Sequence, residues 1–245
     1  MPRRRVIAVI QARTGSSRLP GKVLRPLGNS FVLGWVVRAG QAADGVDDVV
    51  IATSEAPGDD PIVDAGARLG VPVVRGSEDD VLSRFLTAAD EHPCDAIVRL
   101  TSDCPLLDPT LIGQTVALWR ADPTVDYAAT TLVRSLPRGM DVEVATVDAL
   151  RRVSKTATGH HRTHVTSGLY TDPHAFRLAG IVISPAANDL RVTLDTPEDA
   201  ALIEAIVAEL GPEPPPWRAL VGLLRSRPDL VALNAEIQQK RLEEG

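Results

Sequence analysis

The sequence predicts an α/β protein built on a mostly parallel central sheet. Three observations carry that expectation. Short β-branched runs alternate with helix-patterned stretches of about 10–15 residues, the mark of βαβ units. The 245 residues can bury a full core without disulfide staples. A composition of 44% hydrophobic and 24% charged residues is that of a globular domain, not a disordered or fibrous one.

The elements follow in order. Arg5–Gln11 is the first strand, followed by strands at Val49–Thr53, Val71–Val74 and Asp95–Thr101. Between them lie helices at Phe31–Ala43, Asp60–Leu69 and Asp79–Glu91. The last shows Val81, Leu82, Phe85, Leu86 and Ala89 at helical spacing. After about residue 125 the pattern becomes mixed. Tyr127–Thr131, Met140–Thr146, Phe176–Ile183 and Arg191–Leu194 read as strands, and Thr146–Lys155 as a helix. The helix Pro197–Leu210 has a clear start: Thr196 as N-cap, Pro197 at the first position and Asp199 at the third. The run GPEPPPW is a linker. Trp217–Leu224 and Leu230–Arg241 read as a helical tail.

Charge and composition exclude several classes. Net charge is −6, and aromatic residues are only 3%, which disfavours base stacking and nucleic acid as a partner. The charge is uneven. Residues 1–43 hold eight basic residues and no acidic one, so the remainder carries −14. The apolar run Val6–Ile10 is shorter than the 7–15 or so residues of a signal core. No run approaches the ~20 residues of a membrane span. Cys94 and Cys104 form no CxxC pair, so zinc and redox motifs are not expected and a cytoplasmic setting is.

The strongest signal is the loop after the first strand, Gln11 to Lys22. In an open parallel sheet, ligands bind beyond the carboxyl ends of the strands. Gly15 and Gly21 let a backbone approach closely, and successive N–H groups can form an anion nest. Arg13, Arg18 and Lys22 supply counter-charge for a polyphosphate. The spacing is not that of a P-loop. Five residues separate the glycines, and Val23 follows Lys22 where a metal-binding hydroxyl would stand. The alternative reading is a solvated basic turn. Two aspartates are also expected at strand ends on this edge: Asp103, in LTSDCP, and Asp195, in VTLDTP. The favourable field of the next helix N-terminus partly explains Asp195 without any ligand.

The segment IQARTGSSRLPGKVL resembles the opening of the SpsF-like cytidylyltransferases, relatives of CMP-KDO synthetase and other sugar nucleotidyltransferases. GVPVVRGSEDDVLSRF, VRLTSDCPLLDP, GMDVEV, RTHVTSGLY and VTLDTPEDAALI resemble that family's successive blocks in the same order, across residues 5–205. The resemblance implies a Rossmann-like, GT-A-like three-layer fold with a small mixed α+β acceptor and dimerisation region. It divides a nucleotidyltransferase domain, 1–211, into a nucleotide part (1–125) and an acceptor part (126–195), before the tail at 212–245. It implies transfer of CMP from CTP with release of pyrophosphate. Arg13 and Lys22 would neutralise the triphosphate with help from Arg18. The backbone around Ala12, Gly15, Ser16 and Ser17 would cradle the nucleotide. Asp103 and Asp195 would hold Mg²⁺, which needs few protein carboxylates when phosphates complete its shell. Ser77 is a nucleoside contact or, alternatively, the cap of the next helix. A homodimer is expected.

On the acceptor side the resemblance points to Arg134, Arg138, Asp141, Glu143, Arg162 and His164. Arginines suit a carboxylate, phosphate or phosphonate. Asp141 and Glu143 fit simple strand alternation equally well. His160, His161 and His164 invite a metal reading, but no HExxH pattern is present. Two positions depart from the family pattern. Thr163 follows Arg162 where a glutamate commonly precedes the His-Val-Thr, and Arg138 replaces the aspartate of Pro-Asp-Gly. Both changes remove acid, which favours an anionic acceptor such as an acidic sugar or a phosphonate. A glycosyltransferase would call for a DxD motif, and Ser102-Asp103-Cys104-Pro105 stands in its place. A non-catalytic nucleotide-binding protein of the same fold is the remaining alternative.

Overall fold

A computed structural model describes residues 3–239. Seven strands form one sheet: β1 (Val6–Gln11), β4 (Asp48–Ser54), β5 (Val73–Gly76), β6 (Ala96–Thr101), β7 (Tyr127–Ala129), β8 (Glu143–Thr146) and β9 (Leu178–Gly180). A two-stranded ribbon, β2 (Pro26–Leu27) and β3 (Ser30–Phe31), stands apart. The sheet order is β5-β4-β1-β6-β8-β7-β9, and β8 alone runs against its neighbours. This is the mostly parallel α/β sheet that the alternating pattern predicts.

Helices cover both faces. The face shared by Val6, Ala8 and Ile10 packs on α1 (Val32–Gln41), α2 (Asp60–Leu69), α4 (Pro109–Ala121), α8 (Pro197–Leu210) and α9 (Trp217–Ser226). The face shared by Ile7 and Val9 packs on α3 (Val81–Glu91), α5 (Val147–Ser154) and α7 (Ser167–Tyr170). Burial from both sides explains why the first strand is continuously apolar rather than alternating. Three layers result. Among the described residues no helix is long and apolar enough to cross a membrane.

Several expected boundaries shift for identifiable reasons. The strand expected at Val71–Val74 begins later. Gly70, at φ 67°, ends α2, and the Val71 N–H bonds back to Gly66 O, so Val71 belongs to the helix exit. The strands expected at Met140–Thr146 and Phe176–Ile183 shorten to β8 and β9. Arg191–Leu194 makes a single bridge, Arg138 to Arg191, because its neighbour is a loop rather than a strand. Gly139 makes that approach possible. Its φ is +99°, and a side chain there would meet the Val192 backbone at 2.7 Å. The second tail helix is only α10 (Pro228–Val231), residues 232–236 form turns and a bend, and 237–239 have no regular structure. Residues 240 and 241 of that expectation lie outside the described residues. Helix α4 was not anticipated, although Asp108 before Pro109 is an ordinary start signal. The cap of α8 is the reciprocal box expected of Thr196 and Asp199.

The basic N-terminus works at the sheet edge opposite the first loop. Arg3 pairs with Asp47 at 3.0 Å and Arg5 with Asp48 at 3.6 Å. Arg4 lies 3.8 Å over the Trp119 ring and donates to the carbonyls of Trp119 and Arg120. These arginines therefore fasten the start of β1 to the start of β4 and the end of α4. The C-terminal segment is tied in by Asp108. One oxygen caps α4 through Thr110 N at 2.7 Å, and the other accepts Trp217 N at 2.9 Å. Asp108 is 3% exposed. Asp108→Ala should lower unfolding free energy by about 2 kcal/mol in urea titrations, since it removes a cap and strands a buried N–H. A loss below about 0.5 kcal/mol would contradict this double role.

Candidate active site

The chain leaves β1 for β4 and β5 on one side, then crosses to β6 on the other. The carboxyl ends of β1 and β6 therefore flank a topological switch point, where adjacent connections diverge and leave a crevice. The loop from Ala12 to Gly21 rises there from β1. Asp103 follows β6, and Asp195 precedes α8.

The first loop has its own support. Ala12 is buried and donates to Ala52 O at 3.0 Å. Thr14 donates through its backbone N–H and its hydroxyl to Asp59 Oδ1, at 2.7 and 2.8 Å. Ser54 Oγ donates to the other Asp59 oxygen. Asp59 is 4% exposed. Burial pushes its carboxyl up, but the Ser54 and Thr14 hydrogen bonds outweigh that and hold it below the usual range. Arg84 lies within electrostatic reach of Asp59 and Arg13. It is itself buried, and its Nε and Nη1 lack protein acceptors. Neither Asp59 nor Arg84 was singled out from the sequence. The visible signal for Asp59 was an acid shortly after the second strand, on the edge that carries the first loop.

On this support the loop presents its groups outward. Arg13, Gly15 and Ser17 are exposed, and Ser16 and Arg18 are half-buried. Among the described residues Arg13 has no ion pair. Ser16 Oγ accepts Leu19 N at 3.3 Å. Ser77 is exposed and accepts Asp80 N, while Asp80 itself caps α3 by accepting Ser83 N at 2.9 Å. The capping role considered for Ser77 therefore falls to Asp80.

At the crevice floor the charges converge. Lys22 is 9% exposed. Its Nζ donates to Asp103 Oδ2 at 2.9 Å, to Asp195 Oδ1 at 2.8 Å and to Leu194 O at 2.7 Å. Arg18 approaches Asp195 Oδ2 at 3.2 Å, and Arg191 donates to the same oxygen at 2.8 Å. Burial alone would lower the Lys22 pKa; Asp103 and Asp195 outweigh it and raise it. Burial would raise the Asp195 carboxyl; Lys22, Arg191 and Arg18 hold it below its usual value. The geometry thus unites Lys22, Arg18, Asp103 and Asp195 at one point. Arg191 was not among the expected site residues.

The expected acceptor residues divide. Arg134 grips Asp141 with a two-pronged bridge at 2.7 and 2.9 Å. Arg138 makes no side-chain hydrogen bond among the described residues and lines a groove of about 230 Å³ with Arg191 and Asn234. Glu143 faces the interior. It is 6% exposed and is bound by Arg99, Tyr127 and Thr166. Arg162 is taken up by Asp80 at 3.1 Å and by the carbonyls of Ala157 and Ser154. His164 ends α6 (His160–Thr163). The His160 and His161 rings pack at 4.1 Å, and His161 Nδ1 bonds Ser167 Oγ at 2.8 Å.

The donor set bears on which divalent cation could bind here. Among the described residues no three His, Cys, Asp or Glu side chains gather as a metal cage. Asp103, after β6, and Asp195, which precedes α8 from a segment that forms no strand and not from the strand end expected of it, bring hard oxygens to one cationic point, now taken by the Lys22 ammonium. That fits Mg²⁺, which commonly takes one or two carboxylates and completes its shell with phosphates and water. It does not fit a softer metal that would need histidine or thiolate.

Comparison with known proteins follows the same lines. Residues 7–207 match the family model described as cytidylyltransferase. The spore coat polysaccharide biosynthesis protein SpsF of Bacillus subtilis is 34% identical over 91% of this chain and 95% of its own. A cytidylyltransferase structure from Leptospira borgpetersenii superposes with a TM-score of 0.90 at 27% identity, over 97% of this chain and all of that one. A CMP:2-keto-3-deoxy-manno-octonic acid synthetase complexed with CTP shares the fold, with a TM-score of 0.65 at 18% identity over 84% of this chain and 99% of that one.

The shifted groups set a pH dependence. Asp59, Asp195 and Asp199 titrate below the ordinary 3.8 in the folded chain. Their stabilisation is fully present above that value and is lost as pH falls through the lower folded values. Lys22 is raised above 10.5, so its contribution is complete below that and lost above it. Through these carboxylates, unfolding free energy should fall as pH drops below about 4. Urea titrations should show a shallower acid limb in Asp59→Asn. An acid limb unchanged in that variant would contradict the assignment.

Proposed function

This chain belongs to the cytidylyltransferase family, and on that premise we propose that it transfers CMP from CTP to a small anionic acceptor, releasing pyrophosphate. The observation that carries the reading is the Lys22 ammonium held between the Asp103 and Asp195 carboxylates, beside a loop that exposes Arg13.

An acceptor oxygen attacks the α-phosphorus of CTP, and the bond to the β-phosphate breaks. Negative charge builds on the phosphoryl oxygens, so catalysis is chiefly positioning and electrostatic stabilisation. Arg13 and Lys22 meet the triphosphate, and Arg18 shares its charge between that ligand and Asp195. The backbone from Ala12 to Ser17 lines the nucleotide, with Ser77 across from it on the loop after β5. Asp103 and Asp195 would hold Mg²⁺, which when bound withdraws charge from the phosphates.

Arg138 favours an anionic acceptor. It replaces an acid of the family pattern, carries no ion pair among the described residues, and faces a groove. A guanidinium so placed would take a carboxylate or phosphonate two-pronged. Arg134 and Asp141 form the adjoining wall. Glu143 and Arg162, held by other partners, would act indirectly, and His164 is a further candidate contact. We read the enzyme as a cytoplasmic homodimer of polysaccharide biosynthesis. Val133 and Val182, each 60% exposed, are candidate apolar contacts for such a dimer.

Two experiments test the reading. Lys22→Ala should lose about 10²–10³-fold in turnover while keeping a folded circular dichroism spectrum. Near-normal turnover would overturn the site. A pyrophosphate-release screen should cross the four nucleoside triphosphates with acidic sugars, phosphonates and neutral amino sugars. CTP with an anionic acceptor should turn over, whereas exclusive use of a neutral acceptor would refute the acceptor class.

A further inference from the structure

The turn after α10 closes over a charged network that ends in the active site. Asn234 is 5% exposed although it lies in that turn. A buried side-chain amide needs partners inside the protein. Its Nδ2 donates to Asp199 Oδ1 at 2.8 Å and to Arg191 O at 3.3 Å. Asp199 is wholly buried. It takes the Arg191 guanidinium on both oxygens, from Nε at 2.9 Å and from Nη2 at 2.8 Å. Asp199 Oδ2 also accepts the Asp195 backbone N–H at 2.9 Å. Arg191 Nη2 continues to the Asp195 carboxylate at 2.8 Å, whose other oxygen holds Lys22.

Capping α8 does not require this arrangement. A capping box needs an acid near the helix start and no buried amide beyond it. The Asn234 donor occupies the remaining side of Asp199, so that carboxylate cannot turn without leaving an amide unpaired. With Asp199 fixed, Arg191 is held from two oxygens, and Gln239 Oε1 accepts its Nη1 at 2.7 Å. The orientation of Asp195 is therefore set from a segment that follows the family match, which ends at residue 207.

We propose that Asn234 is a positioning residue, acting through Asp199 and Arg191 to fix the Asp195 carboxylate that faces Lys22. Its catalytic consequence rests on the transfer reaction above; its structural consequence rests on these hydrogen bonds alone. The test uses the full chain with Asn234→Ala. Val153→Ala, a truncation in the opposite layer, serves as a destabilised comparison.

Without substrate, hydrogen exchange at the Asp195 amide should speed up about tenfold in Asn234→Ala, beyond any change in Val153→Ala. In pyrophosphate release, kcat should fall about tenfold in Asn234→Ala with KM for CTP within about threefold, and Val153→Ala should keep kcat. If Asn234→Ala does not fold, Gln239→Ala should give the same two changes at smaller size. Unchanged Asp195 exchange overturns the proposal, and so does altered exchange with normal kcat. Altered exchange in a chain whose wild type releases no pyrophosphate overturns the transfer reading and leaves the positioning contact standing.

Discussion

One ammonium group ties together three segments that are far apart in sequence. Lys22 lies just past the first loop, Asp103 follows the fourth parallel strand, and Leu194 and Asp195 precede α8. A lysine buried this deeply is costly unless its charge is answered. Here two carboxylates and a carbonyl answer it, and Arg18 and Arg191 balance the second carboxylate in turn. The parallel sheet brings these segments to one edge, and the network fixes the edge in return.

The molecule separates its charges by task. The basic residues at the start of the chain serve two opposite ends of β1. Arg3, Arg4 and Arg5 secure its amino end to Asp47, Trp119 and Asp48. Arg13, Arg18 and Lys22 serve its carboxyl end, the proposed place of the nucleoside triphosphate. The net charge of −6 conceals this division. A small, highly anionic ligand needs positive potential only where it docks.

Much of this was legible in the sequence, because the strongest signals are local. A continuous apolar run followed by glycines and cations identified β1 and its loop. The Thr196-Pro197 start fixed α8 and placed Asp195 beside it. What was not legible depends on contacts between distant segments. Asp59 matters because β4 lies beside β1 in register, with Gln11 opposite Ala52, and so carries its following loop to Thr14. Glu143 and its neighbours alternate as any strand does, and only the fold shows that Arg99, Tyr127 and Thr166 close over it. Arg191–Leu194 has strand-like residues but meets a loop held close by Gly139. Asn234 falls in a stretch that reads as a helical tail, and only the fold shows its amide inside the Asp199 network.

The central claim is that this cation-balanced carboxylate pair is a nucleotide–metal site. Calorimetric titration of CTP into the protein, with Mg²⁺ and then with a chelator, tests it most directly. CTP should bind in both conditions through the first loop, and Mg²⁺ should strengthen binding in the wild type but not in Asp103→Asn. CTP affinity identical in Mg²⁺ and chelator, or no CTP binding at all, would contradict it.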